Sequence, residues 1–132
     1  MLTRIHHVGL AVADLDESID LYRTAFGAEL VDRQVNEKEG LEAAFLRTGE
    51  GEIELMSATR QESPVGKFLA KRGPGLHHVA YGVTDIRKAI ADARAAGLEL
   101  IDAEPRIGMS GSLIAFVHPK SLNGVLTEFV ET

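Results

Sequence analysis

The stretch LHHVAYGVTDIRKAIADARAAGLEL, residues 76–100, repeats the earlier stretch IHHVGLAVADLDESIDLYRTAFGAEL, residues 5–30. Each copy opens on two adjacent histidines, continues as an alternating apolar run, and then carries an aspartate, an amphipathic segment and a glycine. The second histidine of each pair, His7 or His78, recurs after 71 residues in a chain of 132. Self-similarity at a little over half the chain length predicts two copies of one structural unit.

Periodicity within each copy predicts a strand followed by a helix. In the first copy Leu15, Ile19 and Tyr22 recur at helical spacing, and Asp14 with Glu17 forms a capping-box pattern. Three extended segments follow each helix: AELVDRQV, LEAAFLRT and EIELMS in the first half, and LELIDAEP, SLIAFVHP and VLTEFVET in the second. The sequence therefore predicts an α+β fold of two βαβββ modules. We expect the two modules to pair into a curved mixed sheet, because the four strands of one module cannot bury both faces of their sheet alone.

The stretch SPVGKFLAKRG between the two copies has the signals of a short helix. Ser63 suits the N-cap, Pro64 suits the first helical position and Gly73 suits the end. The predicted organisation is a single domain, 1–132, with repeat module 1 at about 4–58, a linker helix at about 63–73 and repeat module 2 at about 75–132.

Composition narrows the class of protein. Hydrophobic residues make up 45% and charged residues 26%, as in globular domains, and no apolar run reaches the ~18 residues of a membrane span. With no signal-peptide pattern at the start, we expect a cytoplasmic protein that does not bind membranes. The absence of cysteine excludes thiolate chemistry, and a net charge of −6 argues against nucleic acid as a partner.

Strand alternation separates the two histidines of each pair. The second histidines share their faces with small residues, Gly9 and Ala11 beside His7, and Ala80 and Gly82 beside His78. Two symmetry-related histidines on such faces indicate the wall of a cavity, although hydrogen-bonded strand histidines are the alternative. His6, His77 and His118 are interpreted as structural.

The last strand of each half carries a glutamate among apolar residues, Glu54 or Glu128. A buried carboxylate is costly unless it is paired or binds a cation, although either could instead be exposed on an edge strand. Together His7, Glu54, His78 and Glu128 form a set of nitrogen and oxygen ligands around a central metal cavity. This set predicts one divalent ion, with Co²⁺ first and Mn²⁺, Zn²⁺, Ni²⁺ or Mg²⁺ as alternatives.

Longer stretches carry a family resemblance: RIHHVGLAVADLD (4–16), ESPVGKFLAKRGPGLHHVAYGV (62–83), EPRIGMSGS (104–112) and FVHPKSLNGVLTE (116–128). The chain resembles the vicinal oxygen chelate superfamily and, within it, the methylmalonyl-CoA epimerases. The resemblance implies a homodimeric isomerase that takes an acyl-CoA substrate and binds its metal at His7, Glu54, His78 and Glu128. It also implies epimerisation by removal of the C2 proton through a metal-stabilised enolate.

One position departs from that family. Some members carry a catalytic glutamate where this chain has Ala43, and the neighbouring Glu42 should face solvent, because a shift of one residue reverses the strand face. Glu54 and Glu128 are therefore predicted to act as the two opposed bases. The candidate contacts for the CoA phosphates are Lys67, Lys71, Arg72, Arg106 and Lys120, each of which could equally be a solvated surface charge.

Other members of the superfamily supply the competing interpretations. Glyoxalase I (lactoylglutathione lyase) resembles this chain in its ligand set, but the linker and the ending HPKSLNGVLTE favour the epimerase. A ring-cleaving dioxygenase would use two histidines and one glutamate on Fe²⁺. A non-enzymatic small-molecule-binding protein of the same fold would generally lack the ligands.

Overall fold

A computed structural model describes residues 1–132 and gives eight strands and three α-helices. The strands are β1 (Leu2–Ala11), β2 (Glu29–Asn36), β3 (Leu41–Thr48), β4 (Gly51–Ala58), β5 (Gly75–Val83), β6 (Arg106–Ile107), β7 (Leu113–Val117) and β8 (Thr127–Glu131). The helices are α1 (Leu15–Phe26), α2 (Pro64–Arg72) and α3 (Ile86–Ala95). This order is βαβββ twice with α2 between, so the predicted α+β fold is confirmed. None of the helices is both long and apolar enough to cross a bilayer.

The chain divides into two compact units. One contains Met1–His7 together with His78–Thr132, and the other contains Val8–His77. Strand β1 therefore contributes its first residues to one unit and its last residues to the other. The predicted modules at about 4–58 and 75–132 follow the sequence repeat, whereas the two compact units follow contacts in the structure. The predicted domain organisation therefore stays a prediction.

In the unit Val8–His77 the strand order is β2-β3-β4-β1. Helix α1 packs Leu15 and Ile19 against Leu46 and Leu55, in a core that the sequence alternation produces on one face of the sheet. Residues of opposite parity, such as Phe45, point to the other face. This unit therefore has one face covered by its helix and a second face that α1 does not cover.

The other unit has the strand order β1-β5-β8-β7-β6, in which β5 and β8 run parallel and β7 pairs antiparallel with β8. Helix α3 packs Ile86 and Ile90 against Val117 and Phe129. On the opposite face a second buried cluster contains Ala80 and its neighbours from β7 and β8. The same division of faces therefore occurs in both units.

The helix ends follow the predicted capping residues. The side chains of Asp14 and Asp85 accept hydrogen bonds from the backbone N–H groups three residues on, at 3.0 and 3.1 Å. Ser63 caps α2 in the same way at 3.1 Å, with Pro64 at the first helical position and Gly73 after the end. The signals in the sequence are local, and so they place these helices correctly.

The predicted strand LELIDAEP is wrong. Only an isolated bridge between Leu100 and Val117 forms there, and a short β6 follows at Arg106–Ile107. The side chain of Asp102 accepts the backbone N–H of Phe116 at 2.8 Å, so a carboxylate takes a position that a strand carbonyl would otherwise fill. Pro105, which has no N–H to donate, also prevents a continuous ladder.

Candidate metal centre

Three buried side chains converge in the unit formed by Met1–His7 and His78–Thr132. The Nε2 atoms of His7 and His78 lie 3.1 Å apart, and Glu128 Oε1 lies 3.2 Å from the first and 3.1 Å from the second. The three residues are only 5%, 3% and 6% exposed, respectively. The structure thus brings together three of the four predicted ligands within one unit.

Strand register explains how β5 and β8 deliver two of these groups. Ala80 pairs with Glu128 across the parallel ladder, and His78 lies two residues before Ala80, so all three side chains leave the same face. Phe116 on β7 pairs with Glu128 from the other side, and its ring lies edge-on to His78 with centroids 5.6 Å apart. The polar atoms therefore lie beside an aromatic wall, the ring of Phe116.

Electrostatics keeps the Glu128 carboxyl ionised. Burial alone would raise the pKa of Glu128, but hydrogen bonds from His7 and His78 and the charges of these rings outweigh burial and hold that pKa below its usual value. An ionised carboxylate is the form that coordinates a cation. The site is therefore suited to bind a metal ion through Glu128.

The spacing of the donor atoms fits a first-row divalent ion. Such ions bind imidazole nitrogens at about 2.0–2.1 Å, so neighbouring ligand atoms around them lie between about 2.8 Å apart, in octahedral geometry, and about 3.4 Å apart, in tetrahedral geometry. The separations of 3.1, 3.1 and 3.2 Å fall in that range. Two imidazoles and a carboxylate are also the donor types that such ions accept.

Glu54, the fourth predicted ligand, is buried in β4 of the unit Val8–His77 and is 7% exposed. It pairs across the ladder with Phe45. Its neighbours Ile53 and Leu55 pack in the core under α1. Glu54 therefore points to the face of its sheet that α1 does not cover.

Glu42 and Ala43 lie as strand parity predicts. Ala43 is fully buried, whereas Glu42 is on the α1 face and its side chain is 28% exposed. The carboxylate of Glu42 accepts a hydrogen bond from Arg33 Nε at 2.8 Å, and Arg33 also contacts Asp16. The hydrogen bonds that Arg33 donates, first to Glu42 and then to Asp16, raise the pKa of Arg33. Glu42 is thus an ion-pair partner of Arg33.

The remaining histidines differ from one another. His77 packs its ring against Phe68 with centroids 4.9 Å apart, and His118 accepts the backbone N–H of Lys120 at 3.1 Å, as expected for structural residues. His6 does more than pack, since its Nδ1 lies 2.8 Å from Nδ1 of His7. Strand parity could not predict this contact, because consecutive strand residues leave opposite faces.

The five predicted phosphate contacts are distributed over both units. Arg106 stacks on Phe116 at 5.7 Å and bonds to Asp102 at 3.2 Å, so it lies beside the aromatic wall of the cluster. Lys120 pairs instead with Glu99 at 3.4 Å. The other three, all exposed, lie on α2: Lys67, Lys71 and Arg72.

Comparison with known proteins decides the family. Residues 6–116 match the Glyoxalase/Bleomycin resistance protein/Dioxygenase superfamily. A mitochondrial methylmalonyl-CoA epimerase of Dictyostelium discoideum is 39% identical over 97% of this chain and 78% of its own length. The chain belongs to the methylmalonyl-CoA epimerase family of this superfamily.

Two further relatives agree with this family. The ethylmalonyl-CoA/methylmalonyl-CoA epimerase of Cereibacter sphaeroides is 36% identical over 97% of each chain. A solved methylmalonyl-CoA epimerase in complex with methylmalonyl-CoA and NH4+ is 43% identical, with a TM-score of 0.95 over 100% of this chain and 96% of that one. The resemblance inferred from the sequence, and with it the vicinal oxygen chelate fold, is confirmed.

Proposed function

We propose that this protein interconverts the (2R) and (2S) forms of methylmalonyl-CoA and that it uses one bound divalent ion. The observation that carries the proposal is the buried cluster of His7, His78 and Glu128, whose donor atoms lie 3.1–3.2 Å apart, in a chain of the epimerase family. Because an enzyme of this class must stabilise charge on a thioester, a buried cation site is the feature that the reaction needs.

Glu54 is proposed as the fourth ligand. Strand β4 lies beside the end of β1, where the Val12 N–H donates to the Met56 carbonyl at 2.8 Å. Glu54 shares a sheet face with Met56, and in the last residues of β1 that face is the one of Ala11. Glu54 is buried and offers a carboxylate oxygen to a metal. Co²⁺ remains the first candidate ion.

The chemistry can be divided among the residues. The bound ion would supply a Lewis acid for the thioester oxygen and the carboxylate of the substrate. His7 and His78 would hold that ion as neutral ligands, and Phe116 would keep water from it. Glu54 and Glu128 would be the two bases, one removing the C2 proton and the other returning a proton to the opposite face.

Binding of CoA is proposed to use the basic residues. Arg106 is the best placed in its unit, because its guanidinium lies over the same Phe116 ring that contacts His78. Lys67, Lys71, Arg72 and Lys120 are the remaining candidates. We also propose that the protein acts as a homodimer and that it is located in the cytoplasm.

Incubation with (2R)-methylmalonyl-CoA and Co²⁺ in heavy water tests the function. Epimerisation should give the (2S) form with deuterium at C2, which mass spectrometry and a chiral assay detect together. The competing glyoxalase substrate, the hemithioacetal of methylglyoxal and glutathione, should not be converted. Faster turnover of the hemithioacetal than of the CoA ester would replace the epimerase with a lyase.

A further inference from the structure

The bond between His6 and His7 concerns the imidazole that the proposed function uses as a ligand. Their Nδ1 atoms are 2.8 Å apart, and their ring planes are inclined by 75° with centroids 5.1 Å apart. Adjacent side chains on a strand leave opposite faces of the sheet. A direct bond between the two rings therefore requires both side chains to turn toward each other. Its geometry restricts which nitrogen carries each proton.

The position of the protons follows from counting them. A neutral imidazole has one N–H, and its other nitrogen has the lone pair that can bind a metal. His7 directs Nε2 at His78 and Glu128, so metal binding there requires the His7 proton to be on Nδ1. A short Nδ1-to-Nδ1 contact then requires His6 Nδ1 to accept that proton, with the proton of His6 on Nε2.

We propose that His6 is a positioning residue that accepts the Nδ1–H of His7 and so favours the form of His7 that binds metal. The competing form of His7 carries its proton on Nε2 and can donate it to Glu128 Oε1 at 3.2 Å. In that form the lone pair is on Nδ1 and is directed away from the cluster. His6 shifts the balance because it offers Nδ1–H an acceptor at 2.8 Å.

Metal-bound histidines usually donate their second N–H to such a partner, and loss of the partner typically weakens metal binding. The contact between the Nδ1 atoms of His6 and His7 is a contact of this kind.

Zinc affinity of four proteins tests the proposal: wild type, His6→Phe, His6→Asn and His118→Phe. His6→Phe keeps a ring but removes the acceptor, so affinity measured by calorimetric titration should fall by about 10–100-fold. His6→Asn restores an acceptor oxygen near the position of Nδ1 and should recover most of that loss. His118→Phe should bind zinc as the wild type does, because the His118 imidazole bonds to the backbone of Lys120.

Nitrogen-15 NMR of the zinc-loaded protein gives a readout that a merely structural role would not change. In the wild type His7 should show a protected Nδ1–H whose proton lies in a hydrogen bond to a second ring nitrogen. That signal should disappear in His6→Phe while the other histidine signals and the melting temperature stay close to the wild type. An unchanged zinc affinity and an unchanged His7 signal in His6→Phe would overturn the proposal.

This inference rests on the proposed metal site, and its failure can be told apart from that of the proposed function. Zinc binding with the predicted His6 effect but without epimerisation would overturn the function and leave the role of His6 standing. If the protein epimerises the substrate but its zinc affinity does not change in His6→Phe, the proposed function stands and the proposed role of His6 is overturned. A wild-type protein that binds no divalent ion would overturn both.

Discussion

Glu128 is the residue on which the cluster most depends. A carboxylate that is 6% exposed requires compensation, and the Nε2 atoms of His7 and His78 supply it at 3.2 and 3.1 Å. Removal of one partner from a buried charged group generally costs more than the pair contributes, because the remaining charge is left uncompensated. Without a metal, the same three atoms can therefore compensate one another as a buried polar cluster. With a metal bound, they can serve as its ligands.

Substitution of either cluster histidine should remove the metal. His7→Ala and His78→Ala each delete one of the converging nitrogens, so elemental analysis after dialysis should find less than the one ion per chain bound by the wild type. His118→Ala is the matched control, because the imidazole of His118 bonds to the backbone of Lys120 and lies outside the cluster. Retention of the ion by both cluster variants would show that the metal is held elsewhere.

Proton transfer should be lost separately from metal binding. Glu54→Gln and Glu128→Gln keep an oxygen that can coordinate but remove a group that accepts protons, so epimerisation should slow by about 10²–10⁴-fold. Chiral analysis together with deuterium exchange at C2 measures the loss, and elemental analysis confirms the ion. Glu42→Gln should be close to wild type, since Glu42 is bonded to Arg33 on the α1 face. If Glu42→Gln alone abolishes exchange, the base has been assigned to the wrong strand face.

At the scale of elements, helix α2 begins with a close approach between backbone segments. A Cβ added to Gly66 would lie 2.6 Å from the Arg60 carbonyl oxygen and also too close to that of Gln61. Gly66→Ala should therefore destabilise the fold by about 1–3 kcal/mol, measured by urea unfolding, because backbone cannot move aside as a side chain can. Gly51→Ala, where a Cβ meets nothing within 4 Å, is the control. Equal stability of the two variants would contradict the predicted clash.

The sequence predicts an element well when the signal is contained in the element itself. Ser63, Pro64 and Gly73 define α2 by local capping chemistry, and the structure agrees with all three. LELIDAEP has strand-like alternation, but Asp102 bonds to the N–H of Phe116, 14 residues away, and the ladder is interrupted. A long-range contact of this kind cannot be read from periodicity.

The site shows the same limit at the level of ligands. The repeat of the phrase containing His7 and His78 predicts that both side chains face a cavity, and the structure brings their Nε2 atoms to 3.1 Å from each other. The bond between His6 and His7 was not predicted, because it depends on side-chain torsions rather than on strand parity.

At the scale of the whole molecule, metal binding should appear as stability. A ligand that binds only the folded chain stabilises it by RT ln(1 + [L]/Kd), which is about 2.7 kcal/mol at 100 times Kd. For a domain of this size we expect about 3–5 °C per kcal/mol, so saturating Co²⁺ should raise Tm by about 10 °C. Thermal melts followed by circular dichroism, with and without the ion, measure this shift, and a chelator should reverse it. His78→Ala should lose most of the shift while His118→Ala keeps it. If Co²⁺ raised the Tm of His78→Ala as much as that of the wild type, the stabilising ion would not be bound at this cluster.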